Sequence, residues 1–290
     1  MTPPAAWLQV LQCRRSLGED VIGQAAVTID TNGATYDNSG GQTQAIGALT
    51  INAGTVQNTG GLLRSSDTTT LNAASVVNAN TSGTNQGIEG TNVVINAATL
   101  ANQGGAVHAA QDLTVTSGGT VDNSAGGLLS AGGSLRIIDP NAANPGAKTL
   151  SVINTAGTLV ATNDLQIDAA NFSNDGSFTA GRDLSILLTQ DIVNNRDISA
   201  SGNLTYGTTG QLTNNAKLLA GDTLTINGNV VDNSATGEMS GTDTIVNAAA
   251  TLTNRGLIDS QGATQINAGT LNNIGTGRIY GNDILSLIHI

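Results

Sequence analysis

The sequence is short of charge, of aromatic rings and of cysteine. Charged residues make up 11% of the 290, against about 25% in an ordinary soluble domain. Disorder of the usual kind rests on high charge with little apolar content, and 39% of this chain is apolar. Aromatics are 2%, which rules out a core built on stacked rings. The ten Lys and Arg are scattered, as at Arg64, Arg136, Arg182, Arg196, Lys217, Arg255 and Arg278. No basic stripe emerges, so no nucleic acid is expected as a partner. The net charge of −11 also disfavours an anionic membrane surface. No apolar run approaches the roughly 18 residues of a membrane-spanning helix. A single cysteine, Cys13, permits neither a disulfide framework nor a cysteine-based metal site. That scarcity suits a cytosolic protein, and equally an exported one that crosses membranes unfolded.

What the chain has in quantity is Gly, Asn, Thr, Ser and Asp, the residues of turns. They recur with a period. An asparagine closes each short "T-V/L-x-N" unit at Asn38, Asn58, Asn78, Asn102, Asn123, Asn154, Asn174, Asn194, Asn214, Asn233, Asn254 and Asn273. Successive steps are 19 to 24 residues, apart from one of 31. The long step contains "IIDPNAANPGAK", Ile137 to Lys148, which reads as a loop inserted into one repeat.

Each repeat carries three strand-like pieces. The first is "D-L-T-I", as in Leu184 with Ile186 or Leu224 with Ile226. The second is "T-V/L-x-N", as in Val121 with Asn123. The third is a glycine followed by an apolar and then a small residue, as in Phe178 with Ala180, Leu218 with Ala220 and Ile279 with Gly281. Alternation of period two puts one face in and one out. Gly, Asn and β-branched residues at this density exclude helix. Short strands with turn residues at each corner and a fixed period describe a coil whose rungs stack in parallel. The expected fold is all-β, a parallel β-helix of about twelve rungs with three short strands per rung. One rung buries too little apolar surface to offset its own backbone ordering, so the repeat must be iterated. Asn233 shares the parity of Val231, so an inward amide ladder is expected through Asn58, Asn78, Asn102, Asn123, Asn174, Asn194, Asn214, Asn233, Asn254 and Asn273.

The ends differ from the middle. Residues 1–20 hold the only Trp and Cys and two of the four prolines, and no basic region precedes their apolar run as in a signal peptide. The repeat domain is expected over 21–285, with its insertion at 137–148 and an off-pattern tail at 286–290. The chain is expected to be an internal piece of a longer protein, with one or both ends reflecting a broken gene model.

The segments "GALTINAGTVQNTGG", "GGLLSAGGSLRI" and "FTAGRDLSI" resemble the repeat shaft of filamentous haemagglutinin-type exoproteins of two-partner secretion systems, a group that includes contact-dependent inhibition toxins. The resemblance spans roughly Val27 to Leu285. It implies a right-handed helix and export through an outer-membrane β-barrel transporter of Gram-negative bacteria. It further implies a role at the cell surface as an adhesin shaft or toxin stalk, meeting a receptor or glycan on a host or neighbouring cell in virulence or competition. The family's secretion-domain motifs "NPNL" and "NPYGI" and its pre-toxin "VENN" do not occur in this sequence, so only the shaft's function carries over. An autotransporter passenger is a related alternative.

Candidate chemistry is sparse. His108 and His289 have no nucleophile at a recognisable spacing, and no "HExxH" occurs. Asp112, Asp164, Asp183, Asp222, Asp243 and Asp283, with Asn203, precede the first strand of successive rungs. Stacked, they form a column. Such a column either offers oxygens to Ca²⁺ or closes Asx turns on backbone N–H groups; the Ca²⁺-binding "GGxGxDxUx" repeat is absent. A carbohydrate-active β-helix enzyme, polysaccharide lyase or glycosidase, needs paired carboxylates at a set separation. Glu19, Glu89 and Glu238 are the only glutamates and are far apart in sequence. Arg182-Asp183 and Arg196-Asp197 read as surface charge pairs, and Tyr206 and Tyr280 are isolated. Only the 137–148 insertion and "NTSGTNQG", Asn80 to Gly87, break the period. The reading is a structural and adhesive shaft, with no enzymatic activity and no cofactor.

Overall fold

A computed structural model describes residues 20–288. The expectations for Met1–Glu19 and for residues 289 and 290 fall outside the described residues. Among the described residues there are 32 strands and one three-residue 3₁₀ turn, Pro145–Ala147. Every strand pairing is parallel and joins segments one rung apart, as in Leu49–Gln57 with Thr68–Val77. This is a parallel β-helix.

The chain forms two compact units. Within the described residues, the first comprises 20–142, 147–163 and 171–179, and the second 143–146, 164–170 and 180–288. In the first, an eight-stranded sheet runs from Val21–Gly23 to Ser177–Ala180. The other walls come from the first and second strand pieces of each rung, aligned residue on residue. In the second unit the corresponding sheet has five strands, from Ile198–Ala200 to Arg278–Ile279. Asp283–Ile288 pairs in register with the Ala263–Ala268 stretch, so the ladder continues through residues 286–288.

The core of each unit is a set of aliphatic columns. In the first, Ile51, Leu71, Ile95, Val115 and Ile137 stack in register and are fully buried. In the second, the same column reads Ile186, Tyr206, Ile226, Val246 and Ile266. Tyr206 is the one ring in it, and burial pushes its phenol well above the ordinary range. Some first-strand leucine slots hold threonine instead. Thr69 and Thr244 are fully buried there, and their hydroxyls donate to the carbonyls of Glu89 (2.6 Å) and Asp259 (2.7 Å). A buried hydroxyl is tolerated because it is bonded.

The first two strand pieces are not always separate. In Leu49–Gln57, Thr68–Val77, Asn92–Ala101, Thr223–Asn233, Asp243–Asn254 and Ala263–Asn273 one strand runs through both. The corner lies at the small residues after "I/L/V-N", and a register shift marks it between Gly228 and Val230. At the next corner most rungs place a glycine, though Arg196 and Ala216 take that slot in two of them. A methyl group on Gly105 would strike the Asn78 carbonyl oxygen and Asn102 Oδ1. Gly104 beside it has φ +59°, the left-handed region glycine adopts freely.

Candidate functional site

The inward asparagines form a hydrogen-bonded ladder in each unit. In the first, Asn38 Nδ2 donates to Asn58 Oδ1, and so on through Asn78, Asn102, Asn123, Asn154 and Asn174, at 2.7–2.8 Å. In the second the chain is Asn194, Asn214, Asn233, Asn254 and Asn273, at 2.8–2.9 Å. Polarity is uniform: each amide donates to the next rung. The other N–H donates to a backbone carbonyl, as from Asn102 to Leu128 (3.1 Å) or Asn233 to Leu257 (3.1 Å). These amides are buried, except Asn174, which is half-buried, and Asn273, which is exposed. The ladder of the first unit begins on a buried cap. Thr43 Oγ1 donates to Asn38 Oδ1 at 2.9 Å and meets the Tyr36 hydroxyl at 2.6 Å.

A second set of asparagines was missed from sequence. Asn52, Asn72 and Asn96 stack outside the corner of the first unit, and Asn227, Asn247 and Asn267 outside that of the second. Their polarity is opposite: the later amide donates to the earlier, at 2.7–2.9 Å. The signal was present, since both triplets recur at steps of 20 or 24 residues. The second triplet lines a shallow groove of about 500 Å³ whose lining is uncharged.

The aspartate column is less continuous than the sequence suggests. Register aligns Asn92, Asp112 and Ser134 in the first unit. In the second it aligns Asp164, Asp183, Asn203, Thr223, Asp243, Ala263 and Asp283. Asp222 stands one residue before that line, because it lies two positions ahead of Leu224 rather than one. Threonine and alanine therefore interrupt the carboxylates. The aligned side chains cap the next rung, not their own turn. Asp112 Oδ1 accepts from Ser134 N–H, Asp183 Oδ1 from Asn203 N–H and Asp243 Oδ1 from Ala263 N–H, each at 2.8 Å. Corner hydroxyls answer in the opposite direction: Ser201 and Thr242 donate to the Gly181 and Gly221 carbonyls of the preceding rung, at 2.6 and 2.7 Å. Among the described residues no group of three His, Cys, Asp or Glu is placed to hold a metal ion.

The charged residues pair across rungs. Arg182 holds Asp164 through two nitrogens, at 2.8 and 2.6 Å, and lies 3.5 Å from Asp183. The hydrogen bonds to Asp164 and both nearby charges raise the guanidinium pKa further. Lys217 meets Glu238 at 2.8 Å, which raises its own pKa. Arg64 lies 3.4 Å from Glu89. Both described glutamates are thus engaged with a cation. His108 is exposed, 3.3 Å from Ser130 Oγ. Arg196 uses its backbone N–H on Asn194 Oδ1 at 3.4 Å, and the Asp197 carboxylate accepts from Lys217 N–H at 3.0 Å.

The insertion carries one arrangement that sequence did not reveal. Asp139 is fully buried. Its Oδ1 accepts from Asn141 N–H at 2.8 Å, and its Oδ2 from Thr149 and Leu150 N–H at 2.6 and 2.7 Å. Burial alone would push this carboxyl up, but the backbone donors outweigh it and hold the pKa below the usual aspartate value.

Bonds between neighbouring rungs thus occupy the corners as well as the walls, and they define a repeat protein of the parallel β-helix class. The chain belongs to the haemagglutinin repeat family, whose model matches residues 21–104, 88–138, 141–205 and 192–286. That family is structural and adhesive in character rather than enzymatic. No curated protein and no solved structure matches the chain.

Proposed function

We propose that this chain is a shaft segment of a secreted bacterial surface exoprotein that holds distal binding or toxin modules away from the cell. One observation carries the reading. Each rung leaves its backbone and amide groups to be bonded by the next, through wall ladders, the asparagine ladders and the corner aspartates. Stability of that kind accrues by nearest-neighbour contact, which suits a part whose task is length. The surface supports it: both described glutamates lie in ion pairs, and loops that break the period are few. On this reading the full-length protein crosses the outer membrane through a β-barrel transporter as an unfolded chain. Rung-by-rung folding outside then favours onward movement. The receptor or glycan is met by surface side chains or by the distal module.

The test is deletion by whole and half rungs. The chain is fused behind a secretion domain, given a C-terminal epitope, and expressed with the cognate transporter. Removing residues 59–78 brings Asn58 onto Asn102 with every column kept. Removing residues 59–68 puts the columns out of register. The proposal expects antibody to reach the epitope on intact cells in the first case and to lose most of that signal in the second. Equal display of both would overturn it.

A further inference from the structure

The 137–148 insertion differs from an ordinary long loop in how its neck is made. In the preceding rung, Leu113–Thr116 passes to Thr120–Asp122 through three residues, Ser117, Gly118 and Gly119. One rung on, Leu135–Ile138 passes to Ser151–Ile153 through residues 139–150. Both flanking strands nevertheless stay in register with the rung beneath, Thr116 on Ile138 and Thr120 on Ser151. The register places Asp139 over Ser117 and Leu150 over Gly119.

Ser117 Oγ accepts the Gly119 N–H at 3.3 Å across its short corner. Asp139 does the same across its long one, accepting Leu150 N–H at 2.7 Å and adding Thr149 and Asn141. The hydroxyl of Thr149 donates to the Gly118 carbonyl at 2.5 Å, and Ser151 N–H to that of Gly119 at 2.8 Å. The two ends of the insertion are therefore held to each other and to the rung beneath by bonds that residues 143–146 do not enter; Ala142 N–H adds a bond to the Asp139 carbonyl at 3.0 Å, and Asn141 Nδ2 one to the Ala147 carbonyl at 3.2 Å. The residues between are mostly exposed, including Ala143, Asn144, Pro145 and Gly146.

We propose that Asp139 closes the insertion at its neck, and that the span 142–147 is the position at which this shaft accepts a chain break or an inserted module without losing its rungs. The carboxylate does the work that chain continuity does at other corners. A buried anion accepting three backbone N–H groups bonds more strongly than a neutral acceptor. The flanking strands on both sides of a break would remain paired, Leu135–Ile138 on Leu113–Thr116, Ser151–Ile153 on Thr120–Asp122, and Thr158–Ala161 on Leu128–Ala131.

The experiment places a specific protease recognition sequence between Ala143 and Asn144 of the full chain and compares thermal melts before and after cutting. A control carries the same sequence between Gly132 and Gly133, whose N–H groups bond Ala109 and Gln111 carbonyls at 2.9 and 2.7 Å. Cutting within the insertion is expected to leave Tm within about 3 °C, with the two fragments eluting as one species. Cutting at the control corner is expected to lower Tm by about 10 °C or to part the fragments. The Asp139→Ala variant then links the effect to the carboxylate: its Tm loss is expected to be at least twice as large in cut as in uncut protein. Should uncut Asp139→Ala not fold, Asp139→Asn is read in the same way. Separation of fragments after the insertion cut, equal tolerance at the control corner, or equal Asp139 losses in cut and uncut protein would each overturn the proposal.

Discussion

Asn214 Nδ2 donates to Asn233 Oδ1 at 2.9 Å, and its second N–H reaches the Glu238 carbonyl at 3.2 Å. Its own Oδ1 accepts from Asn194 at 2.8 Å. One fully buried amide thus serves three rungs. Replacing it with leucine leaves a donor on Asn194 and an acceptor on Asn233 without their ladder partner, and takes one donor from the Glu238 carbonyl. Each unmet buried group costs about 1–3 kcal/mol, so Asn214→Leu is expected to lower stability by about 3 kcal/mol or more. Asn272→Leu, at an exposed position three rungs further on, is expected to change it by less than about 0.5 kcal/mol. Denaturant titration of both variants checks the pair; equal losses would count against an energetic role for the ladder.

Asn227→Leu makes an intermediate case. Asn227 lies in the outer ladder, where its Oδ1 accepts from Asn247 at 2.8 Å. Solvent reaches that amide, so water replaces part of what is lost. The expected cost is about 0.5–1 kcal/mol, between those of Asn272→Leu and Asn214→Leu, measured by the same titration.

These two ladders show what the sequence makes legible. The inner one follows from strand parity, since Asn233 is two residues from Val231 and repeats with it. The outer one also repeats, one position after the buried Ile226 and its equivalents, where parity turns it outward; that such outward amides bond one another is what parity does not announce. Local Asx turns exist, as Asp37 to Ser39 N–H and Asp122 to Ser124 N–H, both 3.0 Å, and those are readable from two-residue spacing. The corner aspartates bond residues some 20 positions away, which spacing alone does not announce. Asp139 stands in the sequence only as one residue of the inserted loop; its partners are backbone N–H groups, and these leave no trace in side-chain composition.

Glycine placement gives a steric prediction. Gly105→Ala sets a methyl group against the Asn78 carbonyl and the Asn102 amide oxygen. It is expected to cost about 2 kcal/mol or more, since neither backbone nor ladder has room to yield. Gly40 has φ +68° but open space around a Cβ, and asparagine tolerates that conformation best among non-glycine residues. Gly40→Asn is expected to cost less than about 1 kcal/mol. Comparison of their melting temperatures separates crowding from backbone conformation.

The corner aspartates give a prediction about ions. Asp243 Oδ1 is used on the Ala263 N–H at 2.8 Å. An asparagine at 243 keeps that acceptor, whereas alanine removes it. Asp243→Asn is expected to be close to neutral and Asp243→Ala to cost about 1 kcal/mol. If instead the column held calcium, Asp243→Asn would be as harmful as Asp243→Ala and a chelator would lower the wild-type Tm. The expected result is a Tm unchanged by chelator and a clear difference between the two variants.

Asp139 supplies the pH dependence. Its carboxyl titrates below the ordinary aspartate value of 3.8 in the folded protein. A depressed folded pKa contributes stability that is fully present above the unfolded value and is lost as pH falls through the folded one. Wild-type stability attributable to this group is therefore complete at pH 7 and declines below about pH 4. Asp139→Asn carries no titrating group and also turns an N–H toward donors at Asn141, Thr149 and Leu150. It is expected to be clearly less stable than wild type at pH 7, with the gap narrowing as pH falls to 3. Urea melts of both proteins at the two pH values measure the gap directly. A gap that stayed constant with pH would mean that Asp139 acts through its shape alone, and the charge assigned to the neck of the insertion would have to be withdrawn.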